Sequence, residues 1–395
     1  MAKTVVATGT SSGLGFEAIK QLLQQSEPYN FILGVRDTVK TQGNYDRIDF
    51  DRSKHTITIF PLDLLSLPSV QSFAQKALSQ LGDQKLDYLF LCAGMLDSAD
   101  GPGPNGSPWC SGYVVNHLAQ HYLLHLLRDT LSRSQSRVVV VSSGAIRNVR
   151  GQDPATLDVD LKANSKAGVR PVYSASKFVQ LLGAFYWRRE LPSCTVIAVS
   201  PGLIPSTNLA TDLGLSMDMP DAKTIPEGAQ NLLRAFTVTD LPSDPEQLFL
   251  TSWGEWWPKD VYSLALDQKL QRKWCLTKEE IEKAEDSSSS NNMASLRTKL
   301  LGGLIHSHPR APLAPRAIAS FSTRTVLHNT DKTSKNDQPN DTNPGYWKYD
   351  LSFKTQMSKA VLFTVLAGAG AVESWTWYRE IREWWTGVRD DGREI

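Results

Sequence analysis

Cysteine pairs, a charge imbalance and repeats are all missing from this chain of 395 residues. Its four cysteines, Cys92, Cys110, Cys194 and Cys275, form no CxxC pair. They offer neither a zinc spacing nor a disulfide framework, so no metal is expected, and they fit a reducing compartment. A formal net charge of +1 argues against a dedicated nucleic-acid binder. No period recurs that would build a solenoid. No cleavable leader is expected, because MAKTVVATG already reads as a buried strand by Thr4. What remains is a composition ordinary for a globular protein, 41% hydrophobic and 21% charged.

The chain divides unequally. Up to about residue 286, short apolar runs alternate with helical patterns. The runs are TVVATG, NFILGVR, TITIFPLD, DYLFLCAG, RVVVVSS and TVIAVSPG. Near-continuous Val, Ile and Leu runs suit parallel strands covered on both faces. Helical stretches such as GFEAIKQLLQQ, SVQSFAQKALSQL and NHLAQHYLLHLLRDTL lie between them. The alternation predicts an α/β fold, a doubly wound parallel sheet with its ligand at the carboxyl ends of the strands. A serine run from Ser287 then breaks the pattern. From there on 14 basic residues face 10 acidic ones, against 28 and 31 before it, so the tail is a basic addition to a slightly acidic body.

After the first strand comes TGTSSGLG, with Gly9, Gly13 and Gly15 around Ser11, Ser12 and Leu14. Glycines there let a pyrophosphate approach the backbone at a helix N-terminus. A tight turn is the plainer alternative for a lone glycine trio. Arg36, after the second strand, offers a bidentate donor for the 2′-phosphate of NADP, where an acid would select NAD. The alternative is a surface ion pair, and Asp37 follows directly. Asp63 ends the third strand within reach of an adenine amino group. Ala93 and Gly94 end the fourth with small residues that admit a cofactor.

YSASK places Tyr173 and Lys177 at i and i+4, on one helix face. A free tyrosine titrates near pH ~10, too high for easy proton exchange. A neighbouring ammonium favours the phenolate and makes Tyr173 a candidate general acid/base. Ser143 would hold a substrate oxygen, and Asn116 a water linking Lys177 to solvent. Each alone has a structural alternative: a chance surface pair, a helix cap, a buried turn partner. Together, in this order and after these strands, they point to one site.

On these residues the first 286 positions resemble a short-chain dehydrogenase/reductase. TGTSSGLG matches the family's TGxxxGxG, and CAG the end of its NNAG, with Leu91 and Cys92 in place of the asparagines. Asn116, Ser143, Tyr173 and Lys177 match the catalytic tetrad. SPGLIPST resembles PGxxxT with one residue more before the threonine, and the resemblance implies that Pro201, Gly202, Leu203 and Thr207 contact the nicotinamide end. The thirty residues from Ser143 to Tyr173 resemble the branch of retinol dehydrogenases and protochlorophyllide reductases, as do GYVVNHLAQHYLLHLL and the closing segment with Trp274 and Leu276. The resemblance implies a Rossmann fold and hydride transfer between NADP(H) and a carbonyl or alcohol. Residues 205–226 would be an apolar lid over a hydrophobic small molecule. Trp253, Trp256 and Trp257 line the same pocket or belong to the core. A catalytically silent nucleotide-binding scaffold and a membrane-anchored mitochondrial component are the rival functions.

Beyond the 1–286 domain, the sequence predicts a mostly disordered tail with one apolar helix. Residues 287–345 read as linker and presequence-like segment, basic and acid-free from Met293 until Asp331. Residues 346–395 carry an apolar stretch, 359–385, that spans a membrane or lies on a surface. The body is expected in the cytoplasm, and the tail points to a membrane or mitochondrial attachment. The alternative is that two reading frames have been joined. Neither the oligomeric state nor the substrate is legible.

Overall fold

Val5 and Ala7 face one side of the central sheet and Val6 the other, and both sides are buried. That explains why the strands read as unbroken apolar runs rather than as alternation. The computed structural model describes residues 2–149, 154–211 and 215–286. The expectations for the tail from 287 to 395 lie outside the described residues. Among those described, no helix is long and apolar enough to cross a membrane.

Elements alternate along the chain. They begin with β1 (Lys3–Thr8), α1 (Gly13–Leu23), β2 (Tyr29–Val35), α2 (Thr38–Asp46), β3 (Thr56–Pro61), α3 (Leu67–Leu81) and β4 (Tyr88–Leu91). A short helix α4 (Ser111–Tyr113) runs through a π turn, Val114–Leu118, into α5 (Ala119–Ser134). Then come β5 (Arg137–Val141), α6 (Ala155–Asp160), α7 (Val169–Glu190) and β6 (Thr195–Val199). The last are α8 (Asn208–Thr211), α9 (Ile225–Thr237), β7 (Phe249–Leu250) and α10 (Gln268–Trp274).

The strand order is β3-β2-β1-β4-β5-β6-β7, and every pairing is parallel. This is the doubly wound Rossmann architecture that the sequence predicts. The order reverses between β1 and β4, which opens a crevice at their carboxyl ends. Ile19 of α1 and Leu232 of α9 pack with Phe90 and Val139 on one face. Phe73 of α3, Leu123 of α5 and Leu182 of α7 pack with Leu89 and Val138 on the other. Phe73 and Phe90 have no exposed surface. Truncating either to alanine costs about 3–5 kcal/mol.

All six expected strands are present. The seventh, β7, pairs only Phe249 with Ala198 and Leu250 with Val199, too few residues to show a periodicity. Helix starts follow the local chemistry. Ser66 caps α3 by accepting from Ser69 N. Thr224 and Glu227 form a reciprocal capping box on α9.

Candidate active site

The carboxyl ends of the strands surround a cleft of about 1210 Å³. It is lined by Gly9, Ser11, Ser12, Gly13, Leu14 and Gly15 from the turn after β1, and by Arg36 and Asp63 after β2 and β3. Ala93 and Gly94 follow β4, Ser143 follows β5, and Tyr173 and Lys177 come from α7. Pro201, Gly202, Leu203 and Thr207 follow β6. Of the candidate residues, Asn116 alone sits behind this wall, with no exposed surface.

Backbone closeness shapes the glycine turn. A Cβ on Gly9 would lie 2.5 Å from Ala93 Cα, and one on Gly15 would lie 2.2 Å from the Gly9 carbonyl oxygen. At Gly13 the φ of +56° favours glycine, and no atom lies within 4 Å of a Cβ built there. So Gly9 and Gly15 seat the turn on β4, while Gly13 leaves open space.

Beneath the turn lies a contact the sequence did not reveal. Gln120 Nε2 donates to the Ala93 carbonyl at 3.0 Å, and Thr8 Oγ1 accepts from Ala93 N at 3.3 Å. These bonds hold the end of β4, where the family's NNAG asparagines are absent. Gln120 lies four residues after Asn116, on the same helix face, and that spacing was the available signal. Burying the Cys92 thiol beside the turn raises its pKa to about 12.

Asp37 is occupied locally. Its carboxylate accepts from Lys40 N at 2.9 Å and caps α2. The exposed Arg36 makes no ion pair among the described residues, so the surface-pair alternative is not what the structure shows. Asp63 Oδ1 accepts from Leu65 N at 3.0 Å.

Ser143, Tyr173 and Lys177 line the cleft together, and Asn116 lies behind its wall. Burial pushes the Tyr173 hydroxyl above its ordinary pKa, and the neighbouring Ser143 hydroxyl pulls it part of the way back. The Lys177 ammonium donates to the Val141 carbonyl at 2.8 Å and to Gln180 Oε1 at 3.1 Å. Burial lowers its pKa to about 8. Gln180, one turn along α7, is a second partner that the sequence did not reveal.

Asn116 lies in the π turn Val114–Leu118, a deformation often found at functional sites. Its Oδ1 accepts from Met95 N at 2.8 Å, and its Nδ2 donates to Met95 O and Ser176 Oγ. The side chain is therefore taken up by protein partners and pins the loop after β4. A Cβ on Gly94 would lie 3.5 Å from Lys177 Nζ and 3.6 Å from Asn116 Oδ1, so both groups flank that residue.

At the far end, Gly202 has a φ of +96°, and Asn231 of α9 donates to the Pro201 carbonyl at 2.9 Å. Leu209, Ala210, Leu215 and Met219 line the cleft from the expected lid, of which residues 212–214 lie outside the described residues. Trp253 and Trp257 also line it. Trp256 does not: it packs against the core, and its Nε1 donates to the Asp240 carbonyl.

The closing segment is held by a stripe of histidines along the π turn and α5. His117 Nε2 is 2.9 Å from the Trp274 carbonyl, and His121 Nε2 is 2.8 Å from that of Leu276. His125 also reaches the Leu276 carbonyl, at 3.0 Å. Burial depresses all three pKa values, that of His117 to about 4. With Cys275 the first two form a buried three-atom cluster. Their Nε2 atoms already meet carbonyls, so the stripe serves as a clamp on the segment after α10.

A family model for short chain dehydrogenases matches residues 3–154. A short-chain dehydrogenase/reductase of Pestalotiopsis microspora is 57% identical over 286 residues, which cover 71% of this chain and 98% of that protein. Human retinol dehydrogenase 13 is 30% identical over 222 residues, covering 54% of this chain and 62% of that one. The NADPH-bound carbonyl reductase from chicken fatty liver superposes with a TM-score of 0.51 at 19% identity, covering 65% of this chain and 94% of that one. The chain belongs to the short-chain dehydrogenase/reductase family, a family of oxidoreductases.

Proposed function

We propose that this protein is an NADPH-dependent reductase that converts a carbonyl group on a hydrophobic small molecule to an alcohol. The observation that carries the proposal is the gathering of Ser143, Tyr173 and Lys177 along one cleft, with the Lys177 ammonium buried. Raised by burial, the Tyr173 hydroxyl stays protonated at neutral pH, the form that can donate to a substrate oxygen. Ser143 orients that oxygen. Tyr173 gives it a proton as the carbonyl carbon gains a hydride, and the product is the alcohol. Lys177, with a pKa near 8, is largely an ammonium at pH 7 and favours the phenolate left behind. Asn116 acts by fixing the Met95 loop against α7.

The residues present fit a dinucleotide. Open space at Gly13, the close-packed Gly9 and Gly15, and a cleft of about 1210 Å³ suit a pyrophosphate and two nucleosides. Bound NADPH would supply the hydride. Arg36 would meet its 2′-phosphate, and the capping role of Asp37 removes the acid that would compete for it. Asp63 would accept from the adenine, and Pro201, Gly202, Leu203 and Thr207 would flank the nicotinamide.

The test is to incubate the purified protein with NADPH or NADH and a panel of aldehydes and ketones. Loss of NADPH absorbance with a matching alcohol product is the expected result. Cofactor binding without turnover on any substrate would favour a silent scaffold. For the tail we propose an addition separable from the 1–286 domain. The Pestalotiopsis relative, matched over 98% of its length, accounts for only 71% of this chain, which supports that division. Transcript mapping across Ser287 tests it, and one uninterrupted message would argue against joined frames.

A further inference from the structure

Arg147 lies in the 3-10 turn Gly144–Val149, four residues past Ser143, and lines the same cleft as Tyr173. Its Nε donates to the Gly144 carbonyl at 3.2 Å. Its guanidinium carbon is 5.4 Å from the centroid of the Trp257 ring. A Cβ on Gly144 would lie 3.4 Å from Arg147 Nη2 and 3.9 Å from Trp257 Cη2. The guanidinium and the indole therefore converge over the residue next to Ser143.

That indole is itself fixed. It stacks on Phe249 of β7 at 4.5 Å, and Tyr262 donates to the Trp257 carbonyl at 3.2 Å. A guanidinium over an aromatic face is attracted to it and keeps its outer N–H groups free. Among the described residues, no carboxylate forms an ion pair with Arg147. Leu215, Met219 and Trp253 also line this cleft, alongside polar residues such as Asn148 and Ser174. A cation without a protein ion-pair partner, held over an indole beside Ser143 in a cleft that also carries apolar side chains, is arranged to receive an anion carried by an apolar body.

We infer that Arg147 is the anion receptor of the substrate pocket, and that the substrate is an apolar carbonyl compound bearing an acidic group such as a carboxylate. This rests on the reductase function proposed above. The receptor acts on binding: it pairs with the acid and leaves the carbonyl end to Ser143 and Tyr173. A lysine would give the charge without the planar fork that matches a carboxylate.

The experiment uses the full chain with NADPH and two probes, 4-formylbenzoate and its methyl ester. They share the aldehyde and ring and differ in charge. We expect wild-type kcat/KM to favour the acid by about tenfold or more, as a charge-assisted bond gives. Arg147→Gln should bring that ratio to about one, chiefly through KM for the acid. An unchanged melting temperature would show that the variant is folded, as the exposure of Arg147 predicts. Equal ratios in wild type and variant would overturn the inference. If neither aldehyde is reduced, the reductase proposal fails separately, and calorimetric binding of 4-formylbenzoate to the NADPH-loaded protein decides. Binding by wild type that Arg147→Gln loses would uphold the receptor, and the absence of binding or of a difference would overturn it.

Discussion

A Cβ on Gly15 would lie 2.2 Å from the Gly9 carbonyl oxygen, whereas at the other end of the cleft Trp253 is 54% exposed and Met219 38%. At Gly9 and Gly15 backbone meets backbone, and no side chain can be tolerated there. At the second end side chains from loops form the wall, and many substitutions would fit. The tight end is therefore carried by a glycine motif, whereas the lid and tryptophan loops of the loose end, beyond the Pro201–Gly202 turn, have none. That difference is why the reaction class is legible here and the substrate is not.

The comparison can be broken most severely at Gly15. Gly15→Ala should abolish measurable NADPH binding and lower the melting temperature, because the clash is with backbone that cannot rotate away. Intact binding by calorimetry would show that the turn has slack. Lys177→Met should follow, with turnover falling by about a hundredfold or more. Lys177 also gives a pH signature. Its folded pKa of about 8 lies below the ordinary ~10.4, so the unfolded chain binds more protons between those values. The Lys177 contribution to stability should therefore rise with pH from about 8 to about 10.4, against the opposing contribution of the buried Cys92 thiol, and the wild-type urea midpoint minus that of Lys177→Met should show that rise.

Arg36→Ala should be milder, weakening NADPH about ten- to a hundredfold with little effect on NADH. Equal losses for both cofactors would show that Arg36 reads no phosphate. At the loose end the effect should be smallest. Met219→Ala should shift KM for bulky carbonyls a few-fold and leave the melting temperature unchanged, since the side chain is 38% exposed. A loss of stability as large as that of Gly15→Ala would erase the contrast between the ends.

What could be read beforehand follows the same division. Six strands were legible because burial on both faces makes them continuously apolar, and β7 was not because it is two residues long. The cleft-lining residues were legible where chemistry demands a residue type, as at Gly9, Tyr173 and Lys177. Gln120 and Gln180 were not, because a lone glutamine in a helix carries no pattern of its own. Only their spacing from Asn116 and Lys177 points inward. The spacing of His117, His121 and His125 was visible, but their carbonyl partners come from about 150 residues away. The water-holding role expected of the Asn116 side chain was read from its type, and its partners Met95 and Ser176 emerge only from the fold.

The most direct test is Tyr173→Phe, assayed for NADPH oxidation with any carbonyl the wild type reduces and for NADPH binding by fluorescence. The ring remains and the proton donor is gone. Turnover should fall by about a hundredfold or more while NADPH affinity stays within about twofold. A variant that keeps more than about a tenth of the wild-type turnover, a loss too small for removal of a general acid, would contradict the assignment of Tyr173 as the proton donor.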